Sequence, residues 1–318
     1  MAGIWVFADT RDQTLELLNA GLNLAKDLGG KLVTFALSNE LAQEYISHGA
    51  DEVLLFQPPA QDQPLEACVP VLVQAAREEA PEVFLVGATK RGQEIGARVA
   101  AQLNTGLCSN CTGFGLDKEK GLLQMERLLF GGLAVQKLVC ATRPQMATFS
   151  PRSFEPAPLI EGREGKIREL PAVPASPVKV ISRTAKAREA VDITEAKIVV
   201  CIGRGFAKKE DIQVGRDLAD ALGGEVGCSR PIAEELHWLP EDVYLGISGK
   251  KIKPDLYVGI GISGQIQHVT GIRDSKIIFA INRDENAPIF EAADYGIVGD
   301  LYKVVPLLTE ELKKALKR

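Results

Sequence analysis

No stretch of the 318-residue sequence reaches the ~18 consecutive apolar residues of a membrane helix. The strand-like run Gly3–Ala8 follows Met1 almost at once, leaving no room for a signal or transit peptide, so a cytoplasmic protein is expected. Basic charge is not in excess: 37 Lys and Arg against 42 Asp and Glu give a net charge of −5, which argues against nucleic acid as a partner. Paired cysteines are scarce. Of the six, at 68, 108, 111, 140, 201 and 228, only Cys108 and Cys111 stand close together, with no second pair and no nearby histidine. That spacing is poor evidence for zinc and fits reduced thiols in a cytoplasmic protein. The sequence also lacks a low-complexity tract, a nucleophile–base pair, a cluster of metal ligands and a general acid–base arrangement.

What is present is an ordinary globular balance, 46% hydrophobic and 25% charged, on a length that suggests about two domains. Apolar, β-branched runs at Ile4–Ala8, Leu32–Leu37, Glu52–Phe56 and Val83–Val86 read as buried strands. Between them, Leu15–Leu28, Leu41–His48, Val69–Ala80 and Thr89–Leu103 carry helical periodicity. Alternation of this kind predicts β-α-β units and a mostly parallel sheet. After Asn104 the period changes. Cys111–Leu116, Leu122–Leu128 and Val135–Ala141 look like strands of an antiparallel extension, and Arg143–Phe149 returns as a last strand. Ser150–Ala175, rich in Pro, Glu and Arg, reads as a loop or linker, and Val178–Ala187 as one further strand. A second α/β alternation starts at Ile198–Ile202 and runs through helix Asp211–Leu222 to helix Leu301–Lys317. The chain is therefore divided into residues 1–192 and 193–318.

The most informative stretch is Asp255–Asp300: DLYVGIGISGQIQHVTGIRDSKIIFAINRDENAPIFEAADYGIVGD. Strand Leu256–Gly261 breaks into Gly261-Ile-Ser-Gly264, and Gln265–Gly271 opens as a helix. A strand entering a glycine turn at a helix start is a ready anion site, because first-turn N–H groups lack partners. Gly259-x-Gly261-x-x-Gly264 fits the dinucleotide pattern, a weak signal on its own. Gly203-Arg204-Gly205 ends the first strand of this half, which suits close approach of a ligand or a plain turn. Arg230 reads as an exposed salt bridge or a ligand contact, Gly246–Gly249 as a turn, and His268 as structural or functional. Asp294 and Asp300 suit helix N-caps.

The ordered series GISGQIQH, AINRD, APIF and ADYGIVGD closely resembles the FAD-binding domain of the electron-transfer flavoprotein alpha subunit. The resemblance covers the whole chain, densely over Ser229–Asp300 and more loosely over residues 1–190. It implies an α/β fold of two domains, the first packing on a beta subunit and the second binding FAD. It also implies a carrier of electrons whose chemistry belongs to the cofactor. Carried over residue by residue, Ser229-Arg230 matches an SR motif that sets a permanent cation over the flavin, where it stabilises the anion formed on one-electron reduction. Gly246-Ile-Ser-Gly-Lys250 stands where the family shows G-Q-T-G-K. Ser248 keeps the hydroxyl expected at flavin N5 with less rotamer restraint, and Ile247 loses a polar contact. Ile266-Gln267-His268 matches an I-Q-H motif, with the His268 imidazole, protonated or donating N–H, at the flavin pyrimidine edge. Ser263, Gly264 and Gln267 are matched to the ribityl and diphosphate region, Asn282 to a ribityl or phosphate contact, and Asp300 to the adenosine end. Arg204, Gly249 and Gly261 complete the expected set.

Family members serve flavin dehydrogenases such as acyl-CoA dehydrogenase. A mostly anaerobic branch instead takes electrons from NADH and splits them between two acceptors, ferredoxin among them. Gly3-Ile-Trp-Val-Phe7, and Phe130-Gly-Gly132 with Arg143-Pro-Gln-Met-Ala-Thr148, look more like that second branch. Two other classes compete. A nicotinamide-dependent dehydrogenase would use Gly259, Gly261, Gly264 and Asp284, but no catalytic set follows that motif. A regulatory nucleotide-binding module would use residues 1–190 alone.

Overall fold

The computed structural model describes residues 3–57, 60, 62–130, 134–183 and 192–316. The chain divides into two compact units, Met1–Ala185 and Lys186–Arg318. No helix among the described residues is long and apolar enough to cross a membrane.

In the first unit, β1 (Gly3–Phe7), β2 (Lys31–Ala36), β3 (Glu52–Leu55) and β4 (Val83–Gly87) are nearly continuous apolar runs. That composition belongs to strands buried on both faces. Helices α1 (Arg11–Leu28), α2 (Asn39–Ser47), α3 (Val69–Glu79) and α4 (Lys90–Leu103) alternate with them. The sheet closes with β5 (Leu107–Cys111), β9 (Gln145–Phe149) and β10 (Lys166–Glu169) in the order β10-β3-β2-β1-β4-β9-β5, parallel throughout. The antiparallel part forms a separate three-stranded sheet of β6 (Gly113–Asp117), β7 (Leu122–Leu129) and β8 (Ala134–Leu138).

Two sequence expectations are corrected here. Ser150–Ala175 is not merely a linker, since it supplies edge strand β10 beside β3. Three of the four residues of β10 are charged, so no apolar period marks it. Its place is fixed by backbone pairing and by Arg168, which binds Glu52 and Glu79. Residues 178–183 form no strand, and 184–187 lie outside the described residues. On one face of the large sheet, Trp5, Phe35 and Phe84 meet with ring centroids 5.3–6.0 Å apart.

In the second unit, β11 (Ile198–Ile202) enters first, followed by α5 (Ile212–Leu222), β12 (Glu225–Ser229) and β13 (Tyr244–Leu245). The chain then crosses back to β14 (Leu256–Ile260) on the other side of β11. It continues through α6 (Ile266–Val269), β15 (Ile278–Asn282), α7 (Ile289–Ala292), β16 (Tyr295–Val298) and α8 (Leu301–Ala315). The order β13-β12-β11-β14-β15-β16 is that of a doubly wound sheet, with its topological switch point between β11 and β14. The expected helix over Gln265–Gly271 shortens to the single turn α6. β-branched Val269 and Thr270 precede Gly271, a sequence that does not sustain a longer helix.

Phe84 is 1% exposed and packed edge-on against Trp5. Phe84→Ala is expected to destabilise the first unit by about 3–5 kcal/mol, read as a lower urea midpoint in tryptophan emission. A loss under ~1 kcal/mol would show that this aromatic layer is not part of the core.

Candidate functional site

Five loops leave the C-terminal ends of β11, β12, β13, β14 and β15 on the same edge of the second sheet. They line a cleft of about 790 Å³, well within the size range of cofactor sites. At the switch point the loops after β11 and β14 touch backbone to backbone. Gly203 N–H donates to Ile260 O (2.9 Å), and Gly205 N–H to Gly261 O (3.0 Å). A Cβ on Gly203 would lie 2.2 Å from Gly261 O, so no other residue fits that crossing without displacing it. Gly261 itself sits at φ +63°.

The cleft is lined by three arginines, Arg204 after β11, Arg230 after β12 and Arg283 after β15. Arg230 Nε donates to Glu234 Oε2 (2.5 Å), a pairing that raises the guanidinium pKa and keeps the group charged. The exposed salt bridge and a place on the cleft, which the sequence posed as alternatives, are therefore both present. Ser229 is 9% exposed at the end of β12. Ser263 and Gln267 line the cleft from the turn after β14. Asn282 lines it too, but its amide is engaged within the fold. Nδ2 donates to Ile262 O (2.8 Å), and Oδ1 accepts from Asp284 N–H (3.0 Å). The side chain thus ties the end of β15 to the glycine turn. Gly246 and Ser248 line the cleft from the β13 loop, where Ile247 N–H donates to Gln267 O (2.7 Å).

His268 is buried beside the cleft. It is 8% exposed, with Nδ1 3.1 Å from Leu245 O and Nε2 2.8 Å from the Tyr257 hydroxyl. A carbonyl only accepts, so Nδ1 carries the proton and Nε2 accepts from Tyr257. Burial keeps the Tyr257 phenol protonated and pushes the His268 pKa down to about 4. Of the two expected forms, protonated or N–H-donating, the ring takes the neutral one, with its N–H on Nδ1 directed at Leu245 O.

Three expected residues do not line the cleft. Gly264 backs onto α7, where a Cβ would fall 2.2 Å from Ile289 N. Gly249 lies against the Tyr244 ring. Asp300 caps α8, its Oδ1 accepting from Tyr302 N–H (3.0 Å), the capping role its position suggested. Cleft residues that the sequence reading did not single out include Tyr244, Gln265 and Arg283. Tyr257, behind the cleft, was also passed over. A tyrosine inside an apolar run is itself a signal, because its hydroxyl needs a partner when buried.

The His268 pKa sets a stability window. Above about pH 6.5 neither state is protonated there. As pH falls toward 4 the unfolded chain takes up a proton that the folded chain refuses, so stability drops by at most about 3 kcal/mol. Urea unfolding between pH 7 and 4.5 is expected to show a steeper loss for the natural chain than for His268→Gln. Equal slopes would contradict a buried neutral imidazole.

Comparison with known proteins agrees with this architecture. The electron transfer flavoprotein domain matches residues 4–175, and the electron transfer flavoprotein FAD-binding domain matches residues 192–273. Protein FixB of Clostridium saccharobutylicum is 40% identical, over 99% of this chain and 97% of its own length. The electron transfer flavoprotein subunit alpha of Clostridium acetobutylicum is 39% identical, over 98% and 97%. The acryloyl-CoA reductase electron transfer subunit beta of Anaerotignum propionicum is 37% identical, over 98% and 95%. A doubly wound second unit with its cleft at the switch point, matched by the family's FAD-binding domain and by relatives of nearly equal length, shows that the chain belongs to the electron transfer flavoprotein family as an FAD-binding subunit of the alpha type.

Proposed function

We propose that the cleft of the second unit holds the isoalloxazine and diphosphate parts of FAD and that the chain shuttles electrons as one half of a heterodimer. The observation that carries this reading is the convergence of five strand-end loops, three of them bearing arginines, at the switch point of a parallel sheet. The residues fit the group. Backbone N–H groups of Ile262 and Ser263 in the turn after β14 and the Arg204 guanidinium suit a diphosphate. Arg230 suits the ring, because it stays cationic at every working pH and favours added negative charge. Ser248 supplies a hydroxyl, and Gln267 and Ser263 supply polar contacts at the rim. His268, being neutral, contributes shape and a fixed dipole rather than charge. FAD supplies the redox chemistry when bound, and the chain's groups orient it and bias its potential.

In this reading residues 193–318 bind the flavin, while residues 1–192 pack on a beta subunit that completes the pocket. The donor is a flavin dehydrogenase, such as an acyl-CoA dehydrogenase, or NADH; acceptors include ferredoxin and a quinone oxidoreductase. Six free, buried cysteines suit a reducing cytoplasm. The opening Gly3–Phe7 run, together with Arg143–Thr148, favours the electron-splitting branch.

Two measurements check this. The first is a flavin count on the chain co-expressed with its beta subunit, followed by NADH titration. Two FAD per heterodimer, bleached by NADH, are expected for the electron-splitting branch. One FAD with AMP and no NADH response would assign a simple carrier, and a colourless complex would contradict the flavin reading. The second is the potential of Arg230→Ala, which should fall by roughly 60 mV, the one-electron equivalent of a tenfold change. An unchanged spectroelectrochemical titration would remove Arg230 from the flavin's surroundings.

A further inference from the structure

Ser248 is the one exposed hydroxyl on the Gly246–Gly249 turn, and it faces the cleft. Serine lacks the second Cβ substituent that stiffens χ1 in threonine, so on its own it would spread over several rotamers. The structure supplies a substitute restraint. Tyr244, four residues earlier on β13, is 5% exposed and donates its hydroxyl hydrogen to Ser248 Oγ at 2.7 Å. The ring is held firmly beneath the turn, for a Cβ on Gly249 would come within 2.4 Å of its Cε2. The turn is also closed on itself. Lys250 N–H donates to Tyr244 O (2.8 Å), Gly246 N–H to Lys250 O (3.1 Å) and Gly249 N–H to Gly246 O (3.2 Å).

A phenol has one hydrogen to donate, and a buried one must place it. Since the Tyr244 hydrogen goes to Ser248 Oγ, the serine's own hydrogen is turned away from the tyrosine. The serine side chain is exposed on the cleft side, so that hydrogen points to whatever acceptor lies there.

We propose that Tyr244 is a positioning residue: it locks Ser248 Oγ in one rotamer and makes the Ser248 O–H a directed hydrogen-bond donor to a heteroatom on the edge of the flavin ring. This rests on the flavin reading of the cleft given above. It assigns to a tyrosine–serine pair the orienting work that a threonine methyl would otherwise do.

The test is a double-mutant cycle in the co-expressed heterodimer, using Tyr244→Phe, Ser248→Ala and both together, with Ser248→Thr added on the Tyr244→Phe background. The readouts are the absorption spectrum of the bound flavin, its midpoint potential and the FAD dissociation constant by fluorescence. Tyr244→Phe and Ser248→Ala should each alter the flavin spectrum and weaken FAD by roughly 3- to 10-fold, as for one hydrogen bond. Tyr244→Phe should add little once Ser248 is alanine, because the pair acts as a unit. Ser248→Thr should bring the Tyr244→Phe protein back to within about twofold, because the methyl restores the rotamer. Ser248 is on the surface, so its variants report even if Tyr244→Phe folds poorly. Full additivity, or absence of rescue by threonine, would overturn the proposal and leave Tyr244 a packing residue. Unchanged spectra in Ser248→Ala would overturn it as well. A natural heterodimer without flavin would instead remove the reading of the cleft on which the proposal stands.

Discussion

Gly203 N–H donates to Ile260 O, and Gly205 N–H to Gly261 O. Through this contact the loops after the two central strands of the second sheet share one backbone surface, and the other cleft loops are arranged around it. The doubly wound order separates β12 and β13 from β15 and β16 at this point, so their loops diverge and leave a crevice. Side chains at the crossing would force the strands' ends apart, because the nearest atoms are backbone rather than flexible side-chain tips. The cleft is thus a product of topology and of missing side chains before any polar group is considered.

Onto that frame the chain sets its charges unevenly. Arg204 and Arg230 face the opening, whereas the titratable groups behind it are held neutral. Burial raises the Cys201 thiol and the Tyr257 phenol and lowers the His268 imidazole. The first two are buried acids and the third a buried base, and loss of water favours the uncharged form of each. A neutral backing leaves the positive charge of the cleft to its arginines, Arg204, Arg230 and Arg283.

Much of this was legible in the sequence, and the reasons differ by element. β11, β14 and β15 are dense apolar runs ending in glycine or asparagine, so both their existence and their ends could be read. The turn Gly261–Gly264 and Arg204 followed from position at those ends, and Arg230 from its place after β12. What escaped depends on pairing through space. Strand β10 is mostly charged and acquires meaning only beside Glu52 and Glu79. The neutrality of His268 is set by burial that a short helical turn does not announce, and its tautomer by Leu245 and Tyr257, 23 and 11 residues away. The Tyr244–Ser248 bond spans a turn whose closure is set by backbone contacts on both sides. Asp300 shows the converse. Family position suggested a ligand contact, while the local rule for residues preceding a helix identified the cap that is observed.

The most direct test of the account is the flavin affinity of Gly203→Ala in the co-expressed heterodimer, with thermal unfolding followed in parallel. If the glycine crossing shapes the cleft, the variant should bind FAD at least about tenfold more weakly, a cost of roughly 1.4 kcal/mol, while still unfolding cooperatively. Full flavin content with an unchanged dissociation constant would contradict the account, because it would mean that FAD is held without the backbone contact at the switch point.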